Sequence, residues 1–213
     1  MLELGLKTLF SYLIGSINGS LVLGRLRGVD IRDFGSGNPG ATNALRAQGK
    51  WFALGVAIID VAKGFIPTAF LPGAVMFGLT QDPEVARSWL VVSCAAAAVV
   101  GHCYPVWHRF AGGKGAATAV GVLAACQPML LVPLVLVWVG TLVITGYVGV
   151  ATMAAFAVLP AYYFVVTDVA QIPLLSFLAM LSVFIIFTHR SNVQRLLSGE
   201  EHRMDGARFW KWR

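Results

Sequence analysis

Charged side chains are what this sequence has least of. They make up 12% of its 213 residues, where a soluble globular domain carries roughly a quarter, too few to coat a water-soluble fold of this length. Cysteine is scarce as well: Cys94, Cys103 and Cys126 are the only three. Their odd number, their place in or at the edges of apolar runs and the absence of metal-ligand spacing exclude a disulfide framework and leave reduced packing residues. The net charge is +6, yet no basic domain with interleaved aromatics is present to bind nucleic acid. Basic residues beside membrane spans favour anionic lipid of the cytoplasmic leaflet instead. The first apolar run is a poor cleavable signal, because Glu3 offsets Lys7 and no small-residue site separates its apolar core from "GRLRG". That first apolar stretch is expected to stay as a helix.

What is abundant is apolar sequence, 57% of the chain. Runs at about residues 4–24, 52–78, 88–107, 116–145, 148–167 and 174–189 are each compatible with at least one crossing of about 20 residues. They leave no stretch for a soluble domain, so residues 1–213 are expected to form a single transmembrane domain. Lys and Arg concentrate in the first polar loop (Arg25, Arg27, Arg32, Arg46, Lys50), in a second (Arg109, Lys114) and in the tail (Arg190, Arg195, Arg203, Arg208, Lys211, Arg213). All three segments are placed on the cytoplasmic side by the positive-inside rule, and "TQDPEVAR" outside. Parity then requires residues 116–145 to count twice, with a break at Gln127 and Pro128. The expected fold is all-α, an integral membrane protein of seven helices with its N-terminus periplasmic and its C-terminus cytoplasmic. About 30 residues are thin for two full passes, so a short or partly crossing helix is expected near 116–126.

Two glycine-rich basic loops share the cytoplasmic side. In "GSGNPGATNALRAQGK", Asn38 reads as an N-cap and Pro39 as a first helical position, with Gly49 past the end, predicting a helix over about 39–48. Thr42, Asn43 and Arg46 then lie to one side of it, and Ser36, Gly37 and Gly40 supply a hydroxyl and unobstructed backbone. Loop amides, a helix N-terminus and an arginine recur where phosphate is bound; a capped interfacial turn has the same sequence features. In "FAGGKGAATA", Gly112 and Gly113 precede a helix beginning near Gly115, which puts Lys114 at its positive end. An anion there would relieve the repulsion, and so would snorkelling of the lysine to the interface. The P-loop pattern is not met, because His108 stands where its first Gly belongs and Gly115 where its Ser or Thr belongs. Two such loops on one side point to two phosphates.

Three further features carry polar chemistry. His189 and Asn192 fall at i and i+3 on a helix leaving the membrane, where both can donate hydrogen bonds or simply face headgroups. Asp60 and Lys63 lie one turn apart deep in the second apolar run, as a functional pair or as a brace for the helix. His102 precedes the Lys114 loop by less than three turns, either as a substrate contact or as a packing histidine.

The segments "GSGNPGATN" with Arg46, "DVAKG", "GHCYPVWHRFAGGKGAAT" and "HRSNVQRLLSGEE" together resemble the bacterial acyl-phosphate-dependent glycerol-3-phosphate acyltransferases, over essentially the whole chain. The resemblance implies a seven-helix enzyme of the bacterial inner membrane with its active site toward the cytoplasm. Such an enzyme moves a fatty acyl group from acyl phosphate to the 1-hydroxyl of glycerol 3-phosphate, yielding lysophosphatidic acid and inorganic phosphate in the first step of phospholipid synthesis. It implies that Ser36, Arg46, Lys114, His189 and Asn192 hold glycerol 3-phosphate, with Lys114, His189 and Asn192 nearest the chemistry. The acyl phosphate would fall to Ser36, Gly37, Asn38, Gly40, Thr42 and Asn43 together with Gly112, Gly113, Lys114 and Gly115, with His102 alongside. No metal, cofactor, nucleic acid or obligate protein partner is implied; the partners are the two substrates and membrane lipid.

One departure is visible: family members commonly read "GSIP" in the first helix, and this chain reads "GSIN". The missing helix-kinking proline at Asn18 bears on the shape of that helix and not on the chemistry. A His followed five places later by Asp, common in other acyltransferases, is absent: those fifth residues are Trp107, Gly113, Gln194 and Ala207. The proton acceptor is therefore expected to be a substrate phosphate oxygen, with His189 as the alternative. A transporter of an organic phosphate uses similar ingredients, but marks a midplane path with internal repeats, whereas these loops collect on one face.

Overall fold

The computed structural model describes residues 1–75, 78, 81–167 and 171–204. The expectations on the outer loop's Thr80 and on Arg208, Lys211 and Arg213 lie outside these residues. The described residues are helical, with no strand among them. Chain contacts divide the protein into two compact units, Met1–Gln127 and Pro128–Arg213.

The first unit contains α1 (Leu2–Gly15), α2 (Gly19–Leu26), α3 (Ala41–Gln48), α4 (Lys50–Phe70), α5 (Arg87–Cys103) and α6 (Ala116–Cys126). The second contains α7 (Leu131–Thr145), α8 (Val148–Val166), α9 (Ile172–Thr188) and α10 (Arg190–Leu197). Four helices, or helices with the short turn that continues them, are long and apolar enough to cross a membrane: Lys50–Gly73, Arg87–His108, Pro128–Thr145 and Val148–Val166. The pairs α1–α2 and α9–α10 qualify as two more, each bent, by 46° and 48°. The break expected at Gln127 and Pro128 is present, since Gln127 ends α6 and a short turn, Pro128–Leu130, leads into α7. At 11 residues, α6 is shorter than a full crossing.

Small residues let the helices of the first unit approach closely. Gly15 of α1 lies on the Ala98 backbone of α5, and Gly101 of α5 lies on the Tyr12 carbonyl of α1. The same exchange joins α4 to α6, where Gly64 meets the Thr118 carbonyl and Gly121 meets the carbonyl of Val61. Lipid tails are as apolar as leucine, so close backbone packing supplies association that hydrophobic burial cannot. At the far end of α1, Glu3 gathers Lys7 Nζ at 2.7 Å, both terminal nitrogens of Arg87 at 2.6 and 2.7 Å, and the Asp82 amide at 2.8 Å. Glu3 and Lys7, which the charge count treated as cancelling, thus form a buried pair one turn apart. In the second unit, Trp138 Nε1 donates to Thr152 Oγ1 at 3.2 Å between α7 and α8. Ser182 of α9 reaches the Phe156 carbonyl of α8 at 2.6 Å.

Three local expectations are corrected. The first apolar stretch is not one helix: it breaks between Gly15 and Gly19, because side chains from α4 take the backbone groups that a continuous helix would use. The helix of the first loop starts at Ala41 and not at Pro39. Gly40 is extended (φ −136°, ψ 166°) as its N-cap, and the Pro39 carbonyl accepts a hydrogen bond from Asn18. His189 and Asn192 do not share a continuous helix either. His189 occupies the break between α9 and α10, its ring Nδ1 2.8 Å from the Ile185 carbonyl that its own backbone N–H also uses.

The glycine crossings give a direct test. A side chain at Gly121 must push against the main chain of α4, so Gly121→Val is expected to destabilise the protein by about 1–3 kcal/mol. Gly140 of α7 faces open space, and Gly140→Ala is expected to be neutral or slightly stabilising. Thermal unfolding of both variants in detergent checks the contrast.

Candidate functional site

The first loop is assembled around Asn43. Its Nδ2 donates to the carbonyls of Ile31 at 3.0 Å and Phe34 at 2.8 Å, while its Oδ1 accepts from the Ser36 amide at 3.1 Å. Asn43 is buried, and its side-chain amide is spent on the loop's own backbone. Gly35 (φ 53°) needs a left-handed backbone, and a Cβ on it would stand 2.5 Å from Asn43 Oδ1. The loop amides expected to cradle phosphate are largely engaged: Ser36 N–H bonds Asn43, Gly37 N–H the Phe34 carbonyl at 3.0 Å, and Gly40 N–H the Asn38 carbonyl at 2.9 Å. The first intrahelical donor of α3 is Ala44. The amides of Ala41, Thr42 and Asn43 are therefore the ones this helix start offers to an anion. Arg46, one turn on from Thr42, is exposed.

The second loop follows the same logic. Gly113 N–H donates to the His102 carbonyl and Gly112 N–H to the Cys103 carbonyl, both at 3.1 Å. These two glycines let the chain lie against the end of α5, since a Cβ at Gly112 would strike the His102 carbonyl and one at Gly113 the His102 Nε2. Their amides hold the loop, and the donors that helix geometry leaves over are those of the first turn of α6, where Gly115 (φ 87°) is the N-cap. Lys114 directly precedes that helix start, as expected from the sequence. Arg109 and Phe110 (φ 54° and 59°) lead into the loop with left-handed backbone, a conformation that costs non-glycine residues roughly 1–2 kcal/mol each.

His102, Asp60 and Lys63 connect the two loops. Asp60 Oδ1 lies 3.0 Å from Lys63 Nζ and 3.6 Å from His102 Nδ1, and all three side chains are buried. Lys63 Nζ donates to the Ile17 carbonyl at 2.8 Å, and the Gly19 amide donates to Asp60 Oδ1 at 3.1 Å. The pair thus satisfies both sides of the α1–α2 break, where helical hydrogen bonds are missing and lipid could not replace them. Asn18, wholly buried within the break, caps α2 and reaches the Pro39 carbonyl at 3.3 Å. A continuous path of contacts therefore runs from Pro39 through Asn18, the helix break, Lys63, Asp60 and His102 to Gly113. Of the two readings of Asp60 and Lys63, this geometry supports the brace, applied to α1 and α2 and not only to α4. His102 is likewise the support on which Gly113 rests.

A cavity of about 410 Å³ opens beside α2, lined by Leu21, Arg25, Gly28, Val29, Asp30, Arg32 and His108. Arg32 within it is held by Asp30 at 2.6 Å. The guanidinium beside Asp30 keeps that carboxyl below the usual carboxylate range.

In the second unit His189 is buried, and its Nδ1 faces a carbonyl. A carbonyl can only accept, so Nδ1 carries a proton in this contact. Asn192 packs on Gly149 of α8, where a Cβ would lie 2.8 Å from its Nδ2. That Nδ2 donates to Glu201 Oε1 at 2.7 Å, and Glu201 Oε2 accepts from Arg195 Nε at 2.8 Å. Sequence reasoning named neither Glu201 nor Asn18 as part of the site. The only signal for Glu201 was its place in "SGEE", and Asn18 registered only as a missing proline. Among the described residues, no group of three His, Cys, Asp or Glu stands together as metal ligands.

The family described as "Glycerol-3-phosphate acyltransferase" matches residues 6–199. The glycerol-3-phosphate acyltransferase of Aquifex aeolicus is 40% identical over 195 residues, covering 92% of this chain and 96% of that protein. That of Halalkalibacterium halodurans is 38% identical over 211 residues, covering 95% and 97%. Crystal structures of PlsY (YgiH), an integral membrane glycerol 3-phosphate acyltransferase, superpose with a TM-score of 0.82 for the glycerol 3-phosphate form and 0.80 for the lysophosphatidic acid form. Both are 38% identical to this chain and cover 94% of each.

If Asp60 and Lys63 brace the break, losing one leaves the other charged and buried without its partner. Asp60→Asn or Lys63→Met is expected to cost about 3–5 kcal/mol, and combining the two substitutions to recover part of that loss. Unfolding of the three variants in detergent checks it; additive losses would contradict the coupling.

Proposed function

The chain belongs to the glycerol-3-phosphate acyltransferase family, and from that membership we propose that it uses acyl phosphate as donor to acylate the 1-hydroxyl of glycerol 3-phosphate. The products are lysophosphatidic acid and inorganic phosphate, in the first step of phospholipid synthesis. The reaction takes place at the cytoplasmic face of a bacterial inner membrane, in a single domain of seven crossings that counts α6 as a partial one. The observation that best supports a phosphate-bearing donor is Lys114 directly before the start of α6. A cation beside a helix N-terminus can hold one anion jointly with the first-turn amides.

In the proposed reaction the 1-hydroxyl oxygen attacks the acyl carbonyl carbon, the bond from that carbon to the phosphate oxygen breaks, and phosphate leaves with the electron pair. The donor is a mixed anhydride, so the leaving group needs little activation. Positioning and charge neutralisation supply most of the rate. Ser36, Arg46, Lys114, His189 and Asn192 hold glycerol 3-phosphate, and the helix starts of α3 and α6 with Lys114 hold the acyl phosphate. The hydroxyl proton passes to a phosphate oxygen of the substrate. His189 serves as hydrogen-bond donor from Nε2 of the doubly protonated ring, whose orientation is set by the Nδ1–H bond to the Ile185 carbonyl. No metal or other cofactor takes part in the proposed steps.

Purified protein in detergent, given acyl phosphate and glycerol 3-phosphate, is expected to form lysophosphatidic acid, with acyl-CoA a poor donor; activity with acyl-CoA alone would refute the donor assignment. Lys114→Ala is expected to abolish turnover while the protein stays folded, through loss of roughly 2–5 kcal/mol of charged contact. A further variant separates the two proton acceptors. With substrate phosphate as acceptor, His189→Ala raises KM for glycerol 3-phosphate and lowers kcat moderately, by the loss of a hydrogen bond worth about 1.5–3 kcal/mol. With His189 as the base, kcat instead falls by about 10² to 10⁴ with binding kept, and the acid limb of the pH–rate profile disappears.

A further inference from the structure

We propose that Asn18 is a positioning residue for the substrate loop, fixing the start of α3 through a hydrogen bond to the Pro39 carbonyl. The inference rests on the reading of residues 36–43 as part of the acyl-phosphate site. Asn18 is 0% exposed, and both ends of its amide are used in different directions. Oδ1 accepts from Ser20 N at 3.1 Å, Ser20 Oγ at 3.0 Å and Leu21 N at 3.2 Å, which caps α2. Nδ2 donates to the Pro39 carbonyl at 3.3 Å. Cap and tether are separable duties: serine and aspartate also cap helices, but the donor to Pro39 requires the amide nitrogen.

The tether bears on function because of where Pro39 lies. Its carbonyl belongs to the peptide that leads into Gly40, the N-cap of α3, so holding it sets the direction in which the amides of Ala41, Thr42 and Asn43 point. The other end of the tether is equally fixed, since the neighbouring Gly19 amide is bound to Asp60 Oδ1 at 3.1 Å. The loop is therefore registered against the buried ion pair of α4 through one side chain. Without it, Asn43 still closes the turn from within, while the turn's position relative to α2 and α4 loses a direct hydrogen bond. A small displacement of oriented donors weakens ligand binding more than it weakens the fold.

The test compares Asn18→Ser, which keeps a capping oxygen and removes the tether, with Asn18→Ala, which removes both, in the full chain purified in detergent. Asn18→Ser is expected to unfold near the wild-type temperature, to raise KM for acyl phosphate about fivefold and to keep kcat within about twofold. Amide hydrogen exchange in residues 36–43 is expected to quicken, with residues 19–26 unchanged. Asn18→Ala is expected to lose thermal stability in addition. The proposal is overturned if Asn18→Ser keeps both wild-type KM and wild-type exchange. It is also overturned if Asn18→Ser loses stability and kcat as Asn18→Ala does, with KM unmoved, because the residue is then a cap alone. A wild-type protein with no acyl transfer would defeat the functional reading instead. The exchange comparison would then still decide the tether, quickened exchange supporting it and unchanged exchange overturning it.

Discussion

The ion pair of Asp60 and Lys63 is the interaction on which the rest of the first unit depends. A broken helix inside a bilayer leaves carbonyls and amides that lipid cannot satisfy, and each costs several kcal/mol if left alone. Lys63 takes the carbonyl of Ile17 and Asp60 the amide of Gly19, one from each side of the break. The charges compensate each other at 3.0 Å, and the backbone groups compensate them further. Neither half of the arrangement is stable without the other: the break needs the charges, and the buried charges need the break. From this centre Asn18 reaches one loop and His102 the other, so the placement of both loops follows from two residues one turn apart on α4.

Glycine has a different task here from the one its loops suggest. Gly112 and Gly113 resemble a phosphate cradle, yet their amides close onto α5, and their missing side chains make room for the carbonyl and ring of His102. In the first loop the amides of Ser36, Gly37 and Gly40 also turn inward. What remains for an anion is the start of α3 and the start of α6, where helix geometry itself leaves donors unpaired. Glycine therefore builds the loops, and in the proposed reaction the helix ends and the cations beside them carry the recognition.

In the second unit the polar residues are held with equal care. His189 is oriented by a carbonyl of its own helix, and Asn192 is held by Glu201 over Gly149. These supports come from a helix break and from the segment after α10, neither of which is visible in a helical periodicity.

The sequence by itself determined the class of molecule and which segments are candidates for its chemistry. Scarce charge and repeated apolar runs can be accommodated only by a bilayer, and the place of Lys114 beside the start of α6 was legible because helix starts are marked locally. The break at Gln127 and Pro128 was legible because proline acts locally. Tertiary structure alone decided the bend at Asn18, the start of α3 at Ala41 and the engagement of the loop amides. The first two depend on partners distant in the chain, Asp60 and Lys63 for the bend and Asn18 for Pro39, while the loop amides close on nearer residues that sequence pattern does not single out, Asn43 for Ser36 and His102 for Gly113. A hydrogen bond between residues about twenty or forty positions apart leaves no trace in local propensity or periodicity, because it exists only once the helices carrying them have packed.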